Sequence, residues 1–438
     1  MLTLLAFAMV ASFMTLIMTG RVSALVALIV TPVAFGLLAG FGTELGPMML
    51  EGVRSLAPTG VMLAFAILYF GLMTDAGLFD PLVRLIVRLV HGDPVRIVVG
   101  SAVLALLVSM DGDGSTTYLI CCTAMIPLYR RMGLNPLILA CLLMLACGVT
   151  NITPWGGPTA RAASALGLEP AAIFVPMIPA MLAGAAFVLV VAWMLGRGER
   201  RRLQHLSADG RIHAPGDAEL AEDLVRANDL TERPRLIWLN AALTLGLLAA
   251  LVAGLLPLPV LFMIASALAL LLNYPSLDAQ KARIAAHAPN ILPVIVLIFA
   301  AGIFTGVLNG TGMTQAMAAS VVGAVPPGLG PYMAPITALI SMPFTFFISN
   351  DAFFFGILPI LSQAAGAYGI APEEMARAAL TSQAVHLLSP LVPSTYLLVG
   401  LVRVELAQHQ RFTLPWAAAL SLVLLAAAIT TGVTPFSR

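Results

Sequence analysis

The segment SMDGDGSTTY, residues 109–118, sets Asp111 and Asp113 two positions apart beside the hydroxyls of Ser109, Ser115, Thr116 and Thr117. It lies between IVVGSAVLALLV and LICCTAMIPLY, both apolar enough for a lipid bilayer. A charge at bilayer depth costs roughly 3 kcal/mol or more, so carboxylates kept there point to protons or cations. Three more polar stretches interrupt apolar runs. NITPWGGPTARAA holds Asn151, Thr153, Gly156, Gly157, Thr159 and Arg161. SNDAFFFGILP holds Ser349, Asn350 and Asp351, and HLLSPLVPST holds His386, Ser389, Pro393, Ser394 and Thr395.

Their chemistry is that of an oxygen-rich site with few cations. Glycines at 156 and 157 leave the backbone bare for close approach, while Pro158 and Pro393 can open half-helices without losing a donor. The exposed amides at the start of a half-helix favour an anion. Asn151 and Asn350 can accept from a cation or donate to a carboxylate. Arg161 is the single Lys or Arg in the four segments, against Asp111, Asp113 and Asp351. Such a set repels a bare trianion and suits a metal-neutralised one, or proton carriage. Blander roles stand beside these. Asp113 can cap the following helix, Asp111 and Asp351 can serve backbone donors, Arg161 can pair with an aspartate, and His386 can be structural rather than a proton carrier. Trp155 reads as packing.

The elements holding these segments must be membrane helices. Of 438 residues 60% are hydrophobic and 10% charged, and 16 of the 43 charges crowd between Arg197 and Arg235. Only a polytopic membrane protein absorbs such composition, and a net charge of +1 gives nucleic acid no purchase. The four cysteines lack metal-type spacing and read as small buried side chains. With a ruler of about 20 residues, spans fall near 2–20, 22–41, 57–75, 135–168 and 171–195, then 236–256, 257–273, 289–309, 373–402 and 413–433. Residues 95–130 and 331–366 read as re-entrant hairpins with polar tips, tolerable only under cover. The first enters from the cytoplasm and the second from outside. Positive charges then place both termini outside. FDPLVRLIVRLVHGDPVR reads as an interfacial amphipathic helix, and 197–235 as a solvated linker.

The halves, 1–196 and 236–438, echo each other. Ala57–Pro58 matches Ala288–Pro289, with Gly71 and Gly302 each 13 positions after the proline. Pro136 and Pro154 repeat, at the same spacing of 18, as Pro372 and Pro390. Five spans per half invert the second copy. Inverted repeats with paired broken helices are the signature of a secondary transporter with a midplane site. DGDG alone superficially suggests an intramembrane aspartyl protease, but no second motif supplies the partner aspartate.

DGDGSTTY, NITPWGGPTARAASALG, SNDAFFFGILP and SPLVPSTYLLVG, in that order, resemble the citrate–divalent-metal:proton symporter family of the ion-transporter superfamily. LIMTGRVSALVALIVTPVAFGLLAGFG and AFAILYFGLMTDAGLFDP add to the likeness, which covers nearly the whole chain outside the linker. It implies an all-α, elevator-type transporter in a bacterial inner membrane, surrounded by lipid, and a homodimer. It further implies proton-coupled uptake of citrate bound to Mg²⁺ or Ca²⁺, with the metal as co-substrate. The polar residues above would bind substrate, and Asp111, Asp113, Asp351 and His386 would couple protons or metal. Asp111 and Asp113 are metal ligands only if citrate does not hold the cation alone. Sodium- or proton-coupled symport of another di- or tricarboxylate, and cation/proton antiport, are the rival readings.

Overall fold

The computed structural model describes residues 2–19, 21–89, 93–112, 114–208, 236–326 and 328–438. Among these, the regular elements are helices throughout. Five are long and apolar enough to cross a membrane: Leu45–Asp75, Pro94–Asp111, Pro170–His205, Leu277–Gly310 and Leu406–Thr430. The chain begins with α1 (Leu2–Met18), α2 (Ala24–Leu38), α3 (Leu45–Asp75) and the short α4 (Asp80–Leu89). A hairpin of α5 (Pro94–Val108) and α6 (Gly114–Arg131) follows. Next come α7 (Pro136–Thr150) and α8 (Gly157–Leu166), separated by a break, and then α9 (Pro170–Ala208). The same order returns as α10 (Ile237–Val252), α11 (Leu258–Asn273), α12 (Leu277–Gly310) and the short α13 (Met313–Ala324). The second hairpin is α14 (Met333–Phe347) and α15 (Leu358–Gly366), whose second arm opens with a π-helical turn at Ala352–Ile357. The second broken helix is α16 (Pro372–Leu380) with α17 (Gln383–His386), then α18 (Pro393–Val402), and α19 (Leu406–Thr430) closes the chain.

Pro136 and Pro372 start helices, as their missing N–H predicts. Pro58 and Pro289 do not. They lie inside α3 and α12, so the expected span starts at 57 and 289 fall about three turns late. A membrane helix tolerates an internal proline when a neighbour covers the freed carbonyl, and α3 and α12 pack directly on each other. Their contact is backbone to backbone. A Cβ on Gly52 would sit 1.9 Å from the Gly302 carbonyl oxygen. One on Gly71 would sit 2.5 Å from the ring of His287, which bonds Asp75 at 2.9 Å. Both glycines that follow the matched prolines therefore mark close approaches.

Buried side chains gather into two large cores. One draws on α5 to α9 together with α14 to α19. The other draws chiefly on α1 to α3 and α10 to α13. Each therefore takes helices from both halves of the sequence. Only a few residues of the first group, Trp155, Ala160, Ala165, Phe174, Phe355 and Ile360, are buried in the second core. The four cysteines are free and buried.

The charged stretch after 196 is not all loop. Arg197 to Ala208 continue α9, because no proline interrupts a run of Glu, Arg, Leu and Gln, all good helix formers. The rest of 197–235 lies outside the described residues. Glu199, buried, accepts from the Asn135 N–H at 3.0 Å, and Arg202 donates to the Gly133 carbonyl at 2.5 Å. Arg200 pairs with Asp93, the residue that caps α5. In the second half, Arg438 pairs with Glu374, near the start of α16, and donates its backbone N–H to Pro331 at the base of hairpin 2.

Burial opposes ionisation of Asp93, but Arg200, the Val95 N–H and Arg96 outweigh it and hold its carboxyl below the ordinary 3.8. A depressed carboxylate contributes stability that is complete above its unfolded value and lost as pH falls through its folded value. The pair is largely exposed, so the effect is small. Arg200→Gln should lower the melting temperature in detergent by about 1–2 °C from pH 7 to 5. That gap should narrow as pH falls below about 3.8 towards the lower folded value; a gap that widened on acidification would contradict the assignment.

Candidate functional site

The four interruptions are linked into a ring. At the first tip, Asp111 ends a 3-10 turn and is buried, accepting from the Thr117 hydroxyl at 3.5 Å. Gly112 follows in the left-handed region at φ 81°. A Cβ there would also press on Trp155, 2.7 Å away, so glycine is required twice over. Trp155 Nε1 donates to the Met110 carbonyl at 2.9 Å, tying the first tip to the first break. Ser115 and Thr116 lie half-buried in the first turn of α6. Asp113 lies outside the described residues.

The first break runs from Asn151, the C-cap of α7, to Gly156, the N-cap of α8. A Cβ on Gly156 would lie 2.3 Å from the Asn151 carbonyl, and one on Gly157 would lie 2.8 Å from Arg161 Nη1. The two glycines thus admit the folded-back strand and the guanidinium. Thr159 caps the break by donating to the Ile152 carbonyl at 3.0 Å. Thr153 Oγ1 is buried without a partner. Arg161, one turn into α8, donates through Nε to Asp351 Oδ1 at 2.5 Å. First break and second tip are thereby joined.

At the second tip, the Ser349 hydroxyl accepts from the Ala352 N–H at 3.1 Å, and the side-chain amide of Asn350 donates to Gln383 Oε1 at 3.4 Å. The last carbonyls of α14 have no partner within the helix, and the second break supplies two. His386 Nδ1 donates to the Thr345 carbonyl at 2.7 Å, and the Ser389 hydroxyl donates to that of Phe346 at 2.7 Å. The acceptor fixes the imidazole proton on Nδ1. Pro393 opens α18, and Thr395 donates back to the Leu387 carbonyl at 2.5 Å. Thr159 and Thr395 make this return bond over the same chain interval, to Asn151 and Leu387 respectively. The ring closes where a Cβ on Gly114 would lie 3.7 Å from the Ser394 hydroxyl.

Sequence reasoning missed Gln383. It is fully buried, its Nε2 has no partner, and Asn350 Oδ1 opposite is also unpartnered. The signal was present: Gln383 stands one turn before His386 in a helix otherwise apolar around the break. Buried unpaired donors cost about 1–3 kcal/mol each, so a protein retains them for an occupant. Gln383→Ala should raise the apparent KM for the cargo about fivefold or more with little loss of folded protein; an unchanged KM would make the amide purely structural. Gly148 of α7 and Ala384 of α17 cross just before the two breaks, with a Cβ on Gly148 falling 2.7 Å from Ala384 Cα.

The citrate transporter family model (CitMHS) matches residues 2–382. The chain belongs to this citrate transporter family. A Bacillus subtilis (strain 168) citrate transporter is 55% identical over 436 residues, covering all of both chains. A Mg(2+)/citrate complex secondary transporter of the same organism is 50% identical over 438 residues, again covering both fully. The citrate transporter described here is therefore a secondary transporter and not an enzyme, set in the membrane by several apolar helices. Two solved structures share its fold. The Alcanivorax borkumensis YdaH transporter superposes with a TM-score of 0.56 at 17% identity, covering 91% of each chain. Neisseria gonorrhoeae MtrF gives 0.63 at 16% identity, covering 91% of the citrate transporter and 86% of MtrF.

Proposed function

We propose that this citrate transporter carries citrate as a complex with a divalent cation of the Mg²⁺ or Ca²⁺ type, coupled to protons. The observation that carries the reading is the engagement of Arg161. The one cation of the four segments is held by Asp351 at 2.5 Å, so no surplus positive charge remains to balance a trianion. Asp111 adds a further carboxylate beside the first tip. A chelated cation removes most of that conflict, and the 50% identical relative is named for a Mg(2+)/citrate complex. Among the described residues no group of three or more His, Cys, Asp and Glu gathers. The cation would accordingly keep citrate's own oxygens, which hard divalent ions prefer. Asp111, with Asp113 beside it in sequence, is the proposed proton carrier.

The two cores support an alternating-access reading. The body containing all four polar segments meets the other along α8, the π-helical turn and the packing of α13 on α15, and two separately packed cores favour movement as a unit past a fixed scaffold. The repeated element order, the matching Thr159 and Thr395 bonds and the Gly148–Ala384 crossing support two inverted repeats. Gly148 and Ala384 stand at the same separation as Pro136 and Pro372, as equivalent positions of such a repeat would. A contact between equivalent residues is where a pseudo-two-fold axis passes.

Uptake of labelled citrate into proteoliposomes tests the cargo. Uptake should need Mg²⁺ or Ca²⁺, fall at least tenfold with chelator and respond to an inward proton gradient without sodium. Undiminished uptake in chelator with a sodium requirement would instead establish sodium–carboxylate symport.

A further inference from the structure

We propose that a groove between α4 and α5, apart from the citrate site, binds one acyl chain of an anionic phospholipid with its phosphate against Arg96. The groove encloses about 420 Å³, room for one chain rather than a whole lipid. Ile86 and Leu89 of α4 form one wall; Val95, Val99 and Val103, at successive turns of α5, form the other. Gly100, without a side chain, opens the floor between them. Among the described residues Arg96 is the only charged one lining it, and its side chain is 63% exposed. An apolar slot ending in one exposed guanidinium matches a lipid tail below a phosphate.

Two further observations make the groove a built feature. The opposite face of α5 is fixed to α9, where a Cβ on Gly196 would come within 3.0 Å of Val95 Cα. α5 is thereby held in place along the groove. The surrounding charge is also basic. Arg84 lies on α4, and Arg200 reaches Asp93, the cap of α5. Against these stand Asp80 and Asp93, the latter already engaged by Arg200 and Arg96. The rim thus favours an anionic headgroup over a zwitterionic one. α4 is also the connection from α3, in one core, to α5, in the other.

Native mass spectrometry of the delipidated transporter, titrated with phosphatidylglycerol or phosphatidylcholine of identical chains, tests this. Wild type should bind one phosphatidylglycerol with about fivefold preference or more. Arg96→Gln should lose most of that preference while still binding phosphatidylcholine, and Val99→Trp should lose both lipids by filling the slot. Val103→Phe serves as a second filling variant should Val99→Trp not remain monodisperse. Excess inorganic phosphate should leave the bound lipid in place. Equal affinity for the two lipids in wild type, displacement by phosphate, or unchanged binding in the filled variants would overturn the proposal.

Discussion

Arg161→Ala is expected to abolish citrate uptake and to lower stability by about 3 kcal/mol. Removing one partner of a buried pair strands the other charge, and here Asp351 would remain beside Asn350 with its side chain only 17% exposed. Full burial would cost more, so the lower end of the range for buried pairs applies. Arg161→Ala with Asp351→Asn should regain most of the stability, because no charge is left unpaired. It should regain no uptake, since neither member of the pair that joins the first break to the second tip is present. Arg161→Lys should fall between, as an ammonium cannot reproduce the guanidinium fork. Denaturation in detergent and vesicle uptake measure the two effects separately. Wild-type uptake by Arg161→Ala would remove the pair from the transport mechanism.

Gly148→Ala is the second change with a large expected effect. Its added methyl would lie 2.7 Å from both Ala384 Cα and Ala384 Cβ, a collision that backbone movement alone relieves. Overpacking of this kind costs about 1–3 kcal/mol. It also displaces the residues beyond the crossing, Asn151 on one side and Gln383 and His386 on the other, so uptake should fall at least tenfold. Gly246, exposed with nothing within 4 Å, is the control: Gly246→Ala should leave uptake intact. The sharper test is Gly148→Ala combined with Ala384→Gly. If a two-fold axis passes between these positions, exchanging the residues regenerates an equivalent contact, and uptake should return. Failure of the exchange to improve on Gly148→Ala would argue against the axis.

The polar interruptions were legible because ionisable groups and paired prolines stand out against apolar runs. Period, composition and proline spacing together placed the paired helices near 94–131 and 333–366 and the interruptions near 151–156 and 387–392. They could not show that Pro58 and Pro289 lie inside helices, since a proline signals a start unless a neighbour repairs the ladder, and that neighbour is distant in sequence. The α9 extension was hidden for the opposite reason. Charge density reads as solvated chain, whereas Glu199 and Arg202 are fixed by backbone groups at Gly133 and Asn135. Partner choice was equally invisible. That Arg161 meets Asp351 rather than Asp111, and that His386 and Ser389 hold carbonyls of α14, depends on how segments 190 and 41 positions apart fold together.

The seam between the two cores has a consequence for observing the protein at work. Of its four tryptophans, Trp193 and Trp238 are largely exposed, while Trp155 is 4% exposed. Its ring lies 5.1 Å from Phe70 and 5.3 Å from Phe262, yet its indole N–H is fastened to Met110 on the opposite body. Any displacement between the bodies must change the ring's neighbours while the N–H stays anchored. The chain thus carries an optical reporter at the boundary between its two cores: with the other three indoles replaced by phenylalanine, Trp155 emission should change colour if citrate and metal shift one core against the other.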